Sequence, residues 1–203
     1  MAKAPPFTHL HVHSHYSLLK ALPKIPDLVK RAKKAGLTSI ALTDIGNLYG
    51  AIEFYKECVA EEIKPIIGIE VPLADSNRLV LLCENNTGYQ NLLKLVTAAN
   101  TSDTPGFTYE LLAAYKEGLI ALSPRQRGDR SVEVQKIFGN ENFYARAALH
   151  EIYYLDPDDA RAWEVMRNIE NRGAGDDGGM QNDDVELHFP SRDEMADEFS
   201  KEA

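Results

Sequence analysis

Apolar residues recur along the chain with two periods, one typical of strands and one typical of helices. Short apolar runs predict buried strands at residues 38–44, 64–71, 78–83, 118–123 and 143–149. Apolar positions three or four apart predict helices at residues 25–35, 48–62, 87–100, 109–116, 132–138 and 156–171. Strands that alternate with helices favour an α/β fold with mostly parallel strands and helices packed outside them. In such folds the functional groups collect at the carboxyl ends of the strands.

A further strand is predicted at residues 7–14, and its polar positions are unusual. Histidines stand at every second position: His9, His11, His13 and His15. Because residues two apart on a strand point to the same face, the imidazoles should line one face while Leu10 and Val12 face the other. Each buried imidazole needs a hydrogen-bond partner or a metal ion. The spacing therefore favours descent from a metal site over the alternative that the histidines are half-buried residues without a functional role.

Two carboxylates add to this picture. Asp44 ends the apolar run at residues 38–44, which places it at the carboxyl end of a strand. Glu70 interrupts the apolar run at residues 64–71, where a carboxylate is costly unless it is paired or coordinated. Both are candidate site residues.

Composition indicates a soluble globular protein. The chain has 203 residues with 44% hydrophobic content, which suffices for one large domain or two small ones. It contains no apolar run of the ~20 residues that a membrane span needs, and residues 1–6 lack the apolar core of a signal peptide. We therefore expect a cytoplasmic protein with no membrane association. Cys58 and Cys83 are predicted to be buried free thiols rather than a disulfide or a zinc site.

Charge is distributed unevenly. Of the net charge of −9, residues 173–203 carry −8, from ten acidic and two basic residues, which leaves residues 1–172 near neutral. This division predicts a body at residues 1–172, followed by an acidic loop and a C-terminal helix that packs on the same domain. A capping box at Ser191–Glu194 marks the start of that helix. Neither part has the cluster of basic residues that is typical of a DNA-binding domain, so direct DNA binding should be weak.

Six short motifs, taken in chain order, resemble one family. They are His11-Val-His13-Ser14, Ile40-Ala-Leu-Thr-Asp44, Gly46-Asn-Leu-Tyr-Gly50, Lys64-Pro-Ile-Ile-Gly68, Asn86-Thr-Gly-Tyr89 and Tyr154-Leu-Asp-Pro157. Together they resemble the polymerase and histidinol phosphatase (PHP) domain, in the version at the amino terminus of the bacterial DNA polymerase III alpha subunit. The resemblance implies a distorted (βα) barrel with seven strands in the family and up to three metal ions at the strand ends. It also implies phosphoester hydrolysis, and in several alpha subunits proofreading activity or docking of the exonuclease subunit.

The family's ligand pattern is only partly kept. By this resemblance His11, His13 and Glu70 match metal ligands, and Glu151 keeps a carboxylate where the family has Asp. The other ligand positions are altered: the family's Asp seven residues after the second His is Lys20, the His after Thr-Asp is Ile45, and the last His is Tyr153. The chain is also short near residues 123–138 and 145–148, as though one βα unit were missing. Residues predicted to surround the site are His9, Lys20, Asp44, Ile45, His150 and Tyr153.

These departures favour a structural or exonuclease-docking module with a vestigial metal site. We expect the ammonium of Lys20 to pair with Glu70 and Asp44 in place of a metal ion. No cofactor is expected, or zinc or manganese at low occupancy. The partners implied are the rest of the polymerase alpha chain and the proofreading exonuclease subunit. The alternative is a weak metal-dependent phosphoesterase or 3′–5′ exonuclease, because three ligands suffice for one catalytic zinc.

Overall fold

The computed structural model describes residues 7–73, 77–101, 106–124, 131–147, 149–174 and 187–200. The predicted elements from residue 25 onward are present with ends shifted by a few residues. The helices are α1 (Ile25–Lys34), α2 (Ala51–Ala60), α3 (Asn86–Thr101), α4 (Tyr109–Tyr115), α5 (Ser131–Phe138), α6 (Ala160–Ala174) and α7 (Arg192–Ser200), with a 3₁₀ turn at Pro157–Asp159. The strands are β1 (Ser39–Leu42), β2 (Lys64–Pro72), β3 (Arg78–Cys83), β4 (Leu119–Pro124) and β5 (Phe143–Ala147).

The five strands form one mixed sheet in the order β1-β2-β3-β4-β5. The α/β class is confirmed, and four of the five strands (β1, β2, β4 and β5) run in the same direction, as predicted. β1 and β2 are parallel, as are β4 and β5, whereas β3 is antiparallel to both of its neighbours. The connection from β2 to β3 spans only residues 73–77, which is too short for the crossover that parallel strands require.

The two faces of the sheet have different surroundings. On the outer face, Ile69 and Val71 of β2 pack with the helices, in a core that includes Leu92 and Leu95 of α3. On the inner face lies a smaller core formed by Ala41, Val80, Leu82 and Leu122. Side chains alternate along β2, so Glu70 points to the inner side.

The segment at residues 9–13 is not the regular strand that the alternation predicts. It lies beside β1, where Ala41 N donates to His9 O and Thr43 N donates to Val12 O. The two acceptors are three positions apart on this segment, whereas the two donors are two positions apart, so the segment has one extra residue, as in a β-bulge. The extra residue breaks the alternation: Leu10 packs with the inner core, while Val12 packs on the helix side.

The segment at residues 187–200 packs against the rest of the described chain. Phe189 and Met195 are buried, and Leu187 O accepts hydrogen bonds from the backbone of Tyr153 and Tyr154. The predicted capping box is present, since Ser191 and Glu194 each bond the other's backbone N–H. The division into a body and a tail at residue 172/173 stays a prediction. The predicted acidic loop beyond residue 174 lies outside the described residues. None of the helices in the described ranges is long and apolar enough to cross a membrane.

Candidate metal centre

Three buried side chains meet on the inner side of the sheet. His11, His13 and Glu70 each offer one ligand atom, and these atoms lie within 4.8 Å of one another. Glu70 Oε2 faces both imidazoles, at 2.5 Å from Nε2 of His11 and 3.1 Å from Nε2 of His13. The exposed fraction is 0% for each histidine and 2% for Glu70. Two imidazoles and one carboxylate form the kind of donor set that holds zinc with one position left open.

The backbone fixes Glu70 and His13 in place. Glu70 N donates to Asp44 O, and Glu70 O accepts from Gly46 N, so the end of β2 is tied to the loop after β1. The ring of His13 is held by Ile152 O, 3.2 Å from its Nδ1. Because a carbonyl oxygen only accepts hydrogen bonds, Nδ1 of His13 carries a proton in this contact. Metal-binding histidines are commonly oriented in this way, by a hydrogen bond from the second ring nitrogen to a backbone carbonyl.

His11 and Glu70 have the charge states that metal binding requires. Burial lowers the pKa of His11 against the opposing effect of Glu70, so its ring is neutral at pH 7. Burial also disfavours the charge on Glu70, but the hydrogen bonds from His11 and His13 outweigh it and hold the pKa of Glu70 well below its usual range. Nδ1 of His11 is buried without a partner among the described residues. The group therefore fits one metal ion, with His13 better supported than His11.

An arginine covers this group on its solvent side. Arg78 lies at the start of β3, and its guanidinium forms a two-pronged pair with Glu151, at 2.8 Å from Nη2 to Oε1 and 3.1 Å from Nη1 to Oε2. Nη1 of Arg78 also lies 3.5 Å from Oε1 of Glu70. Burial disfavours the charge on Glu151, but the effects of His11 and Arg78 prevail and lower its pKa.

Tyr153 completes the cover. Its ring stacks on His13 with a centroid distance of 4.3 Å, and its hydroxyl donates to Oε2 of Glu151 at 3.0 Å. Burial and the neighbouring Glu151 raise the pKa of Tyr153, so the phenol stays protonated. The predicted ligand Glu151 thus lies next to the centre, paired with Arg78 and Tyr153.

Asp44 organises the loop that carries the histidines. Oδ1 accepts from Ser14 N and from Ser17 Oγ, and Oδ2 accepts from Ser14 Oγ, each at 2.7 Å. Burial raises the pKa of Asp44 despite these hydrogen bonds. Asp44 is therefore a structural neighbour of the centre, and its serine partners were not singled out from the sequence.

The prediction for Lys20 is wrong. Its ammonium lies 2.5 Å from Oε1 of Glu170 on α6 and is 34% exposed. The cation beside Glu70 is instead Arg78, which the sequence reasoning missed. The register of β2 and β3 would have identified Arg78. Pro72 opposes Arg78, and Glu70 opposes Val80. Arg78 therefore lies diagonally across from Glu70 on the same face of the sheet.

Of the remaining neighbourhood residues, Ile45 pairs with Glu70 in an isolated backbone bridge, whereas His9 and His150 make their contacts elsewhere. His9 packs edge-on between Phe7 and Phe189, because the bulge turns it away from His11. His150 donates from Nε2 to His188 O at 2.9 Å. Ile45 packs with the cluster of Ala21, Tyr153 and Tyr154. His15 lies against Tyr16, outside the group.

Comparison with known proteins identifies the family of this chain. Residues 9–169 match the PHP domain. The chain belongs to the PHP domain family. This PHP domain is homologous to part of bacterial DNA polymerase III alpha subunits: it is 40% identical to that of Bacillus subtilis over 68% of this chain, and 34% identical to that of Borreliella burgdorferi over 96% of this chain. It covers only 14% and 22% of those two proteins.

A solved structure supports the fold. A crystal structure from Bifidobacterium adolescentis, named as a candidate metal-dependent phosphoesterase, superposes with a TM-score of 0.54 and 12% identity. The match covers 90% of this chain and 95% of the other. At this identity the match supports the PHP fold alone.

Proposed function

We propose that this chain is the N-terminal PHP domain of a replicative DNA polymerase III alpha subunit, acting mainly as a structural or exonuclease-docking module with a vestigial metal site. One observation carries the proposal: His11, His13 and Glu70 are buried, and the Arg78–Glu151 pair with Tyr153 covers them. A hydrolytic metal needs an open position that water and a phosphoester can both reach. The covered group favours stabilisation over turnover.

The fold we propose is a distorted (βα) barrel of PHP type with one βα unit missing. The alignment with the Borreliella relative runs over 257 residues and is longer than this chain of 203 residues, so that relative contains residues without a counterpart here. β5 ends at Ala147, and Ile152 already bridges Val12 beside β1, at the opposite edge of the sheet. Five residues span at most about 18 Å. This short connection between the two edges supports the proposed barrel with part of its wall removed.

The proposed partners are those that the family resemblance implies. They are the rest of the polymerase alpha chain and the proofreading exonuclease subunit, which would place the protein in the cytoplasm. Where a metal binds, His11, His13 and Glu70 would hold zinc or manganese at low occupancy. Such an ion would supply Lewis-acid activation of water and of a phosphoryl oxygen.

A second candidate function is weak phosphoesterase or 3′–5′ exonuclease activity with a single metal. The observation that favours it is the convergence of the three donor atoms within 4.8 Å.

One experiment separates the two functions. The purified protein is dialysed, its metal content is measured, and hydrolysis of a chromogenic phosphoester and a labelled single-stranded oligonucleotide is followed with added zinc or manganese. The structural proposal expects less than one metal ion per chain and no turnover. Turnover that disappears in a His11→Ala, His13→Ala variant would overturn it in favour of the one-metal enzyme.

A further inference from the structure

We propose that Arg78 is a resident cation that limits this centre to one metal ion, so that removing its charge lets a second divalent cation bind between Glu70 and Glu151. The inference rests on the proposed function, since it explains how the same centre is restricted. It concerns the side of the centre where Arg78 lies between Glu70 and Glu151.

Glu70 has the geometry of a bridging carboxylate. Its Oε2 faces the two imidazoles, while its Oε1 faces the guanidinium of Arg78 at 3.5 Å. Glu151 turns both of its oxygens to the same guanidinium. A cation thus already sits between two carboxylates, next to the position that a first metal would take.

The guanidinium is a permanent occupant of this position. It cannot lose its proton in a protein, so its positive charge opposes a second cation at every working pH. The bidentate ion pair with Glu151 also fixes the orientation of the guanidinium. A divalent cation must displace Arg78 before it can reach the carboxylates.

The ligands at this second position are all oxygens. Glu70 Oε1 and the carboxylate of Glu151 face Arg78, and the hydroxyl of Tyr153 lies 3.4 Å from its Nη1. Oxygen ligands suit manganese or magnesium better than zinc. Arg78 is 34% exposed and Glu151 is 20% exposed, so an ion can arrive from solvent without unfolding the domain.

The test counts manganese ions on the full chain after metal removal, by calorimetric titration and by electron paramagnetic resonance of free Mn²⁺. The variants are Arg78→Gln, Arg78→Lys and the double variant Arg78→Gln, Glu151→Gln. Arg31→Gln is the matched control, because Arg31 is 28% exposed and pairs with the carboxylate of Asp156 at 2.6 Å, away from the centre.

We expect Arg78→Gln to gain one manganese site, bound at least tenfold more tightly than any second ion on the wild type. Arg78→Lys and Arg31→Gln should match the wild type, because each keeps a positive charge beside Glu70. The double variant should lose the gained site. Unchanged stoichiometry and affinity in Arg78→Gln would overturn the inference, and so would a gained site that survives in the double variant.

Instability of the variant is itself informative. If Arg78→Gln is unfolded without metal, manganese should restore a cooperative melting transition, since the ion replaces the lost charge. A variant that stays unfolded with manganese contradicts the inference. Failure of the proposed function looks different: phosphoester turnover by the wild type refutes the structural role whatever Arg78 does, whereas an unresponsive Arg78→Gln refutes only the inference.

Discussion

At the scale of single residues, Arg78 and Lys20 have equal exposure but different surroundings. Both side chains are 34% exposed, yet Lys20 pairs with Glu170, which is 27% exposed, while Arg78 lies beside Glu70, which is 2% exposed. The strength of an ion pair depends on how far its partner is removed from water. The two cations should therefore differ in their contribution to stability.

We expect Lys20→Ala to lower the free energy of unfolding by less than about 1 kcal/mol, as for a surface ion pair. Arg78→Ala should lower it by about 2 kcal/mol or more, because Glu70 and Glu151 lose the cation between them. Urea denaturation at pH 7 without metal measures both values. An equal loss in the two variants would show that burial of Glu70 does not matter.

Asp44 gives a second prediction, because three donors converge on its carboxylate. Asp44→Ala should lower the free energy of unfolding by about 3 kcal/mol, since it leaves the buried Ser14 and Ser17 donors unpaired. Asp44→Asn should cost less than about 1 kcal/mol, because its Oδ1 can accept from Ser14 N and Ser17 Oγ while its amide donates to Ser14 Oγ. Denaturation of both variants in parallel measures the two losses of unfolding free energy. Similar losses would mean that packing, not hydrogen bonding, determines the contribution of Asp44.

The lowered pKa of Glu151 predicts how stability depends on pH. A carboxylate with a lowered pKa in the folded state stabilises the fold fully above its ordinary value of 4.5. That contribution is lost as the pH falls below 4.5 toward the folded pKa. We expect Glu151→Gln to be less stable than the wild type at pH 7 and closer to it at pH 3.5. Denaturation at both pH values measures this; a constant difference would rule out the contribution of Glu151.

At the scale of elements, the hairpin of β2 and β3 decides which cation reaches the centre. Its antiparallel register brings Arg78 onto the face of Glu70, although eight positions separate them in sequence. Lys20 lies in the loop after the histidines, and that loop is drawn to α6, where Trp163 Nε1 donates to Lys20 O at 2.6 Å. The backbone of each element therefore determines where its cation lies.

The segment at residues 187–200 yields a prediction about elements. Phe189 is 2% exposed and packs with the core around α1 and α2. Phe189→Ala should lower the free energy of unfolding by about 3 kcal/mol, the usual cost of removing a buried aromatic ring. Val165→Ala on α6 is the control, because Val165 is 57% exposed and should change stability by less than about 0.5 kcal/mol. Equal melting curves for the two variants would mean that the segment does not contribute to the fold.

At the scale of the whole molecule, the charge distribution predicts weak DNA binding. The chain is near neutral to residue 172 and strongly acidic beyond it, so it lacks the clustered cations that neutralise phosphates. We expect fluorescence anisotropy of a labelled single-stranded oligonucleotide to show little binding at 150 mM salt, where screening is already substantial. Tight binding that falls steeply with salt would reveal a basic surface that composition does not indicate.

The sequence alone determined the α/β class and most helices and strands, and the family resemblance of its motifs grouped His11, His13 and Glu70. These follow from local periodicity and from motifs, because a strand or helix pattern depends on residues close in the chain. The family pattern also marked the altered positions, including Tyr153 and Ile45. The same pattern predicted a missing βα unit near residues 145–148.

Only the tertiary structure decided which side chains complete the centre. The bulge beside β1 turned His9 away from His11, and the antiparallel register of β3 placed Arg78 where Lys20 was expected. Both outcomes depend on hydrogen bonds between segments far apart in sequence, and local patterns do not specify these pairings. A one-residue change in strand register moves a side chain to the opposite face, so the cation beside Glu70 is set by the pairing of the strands.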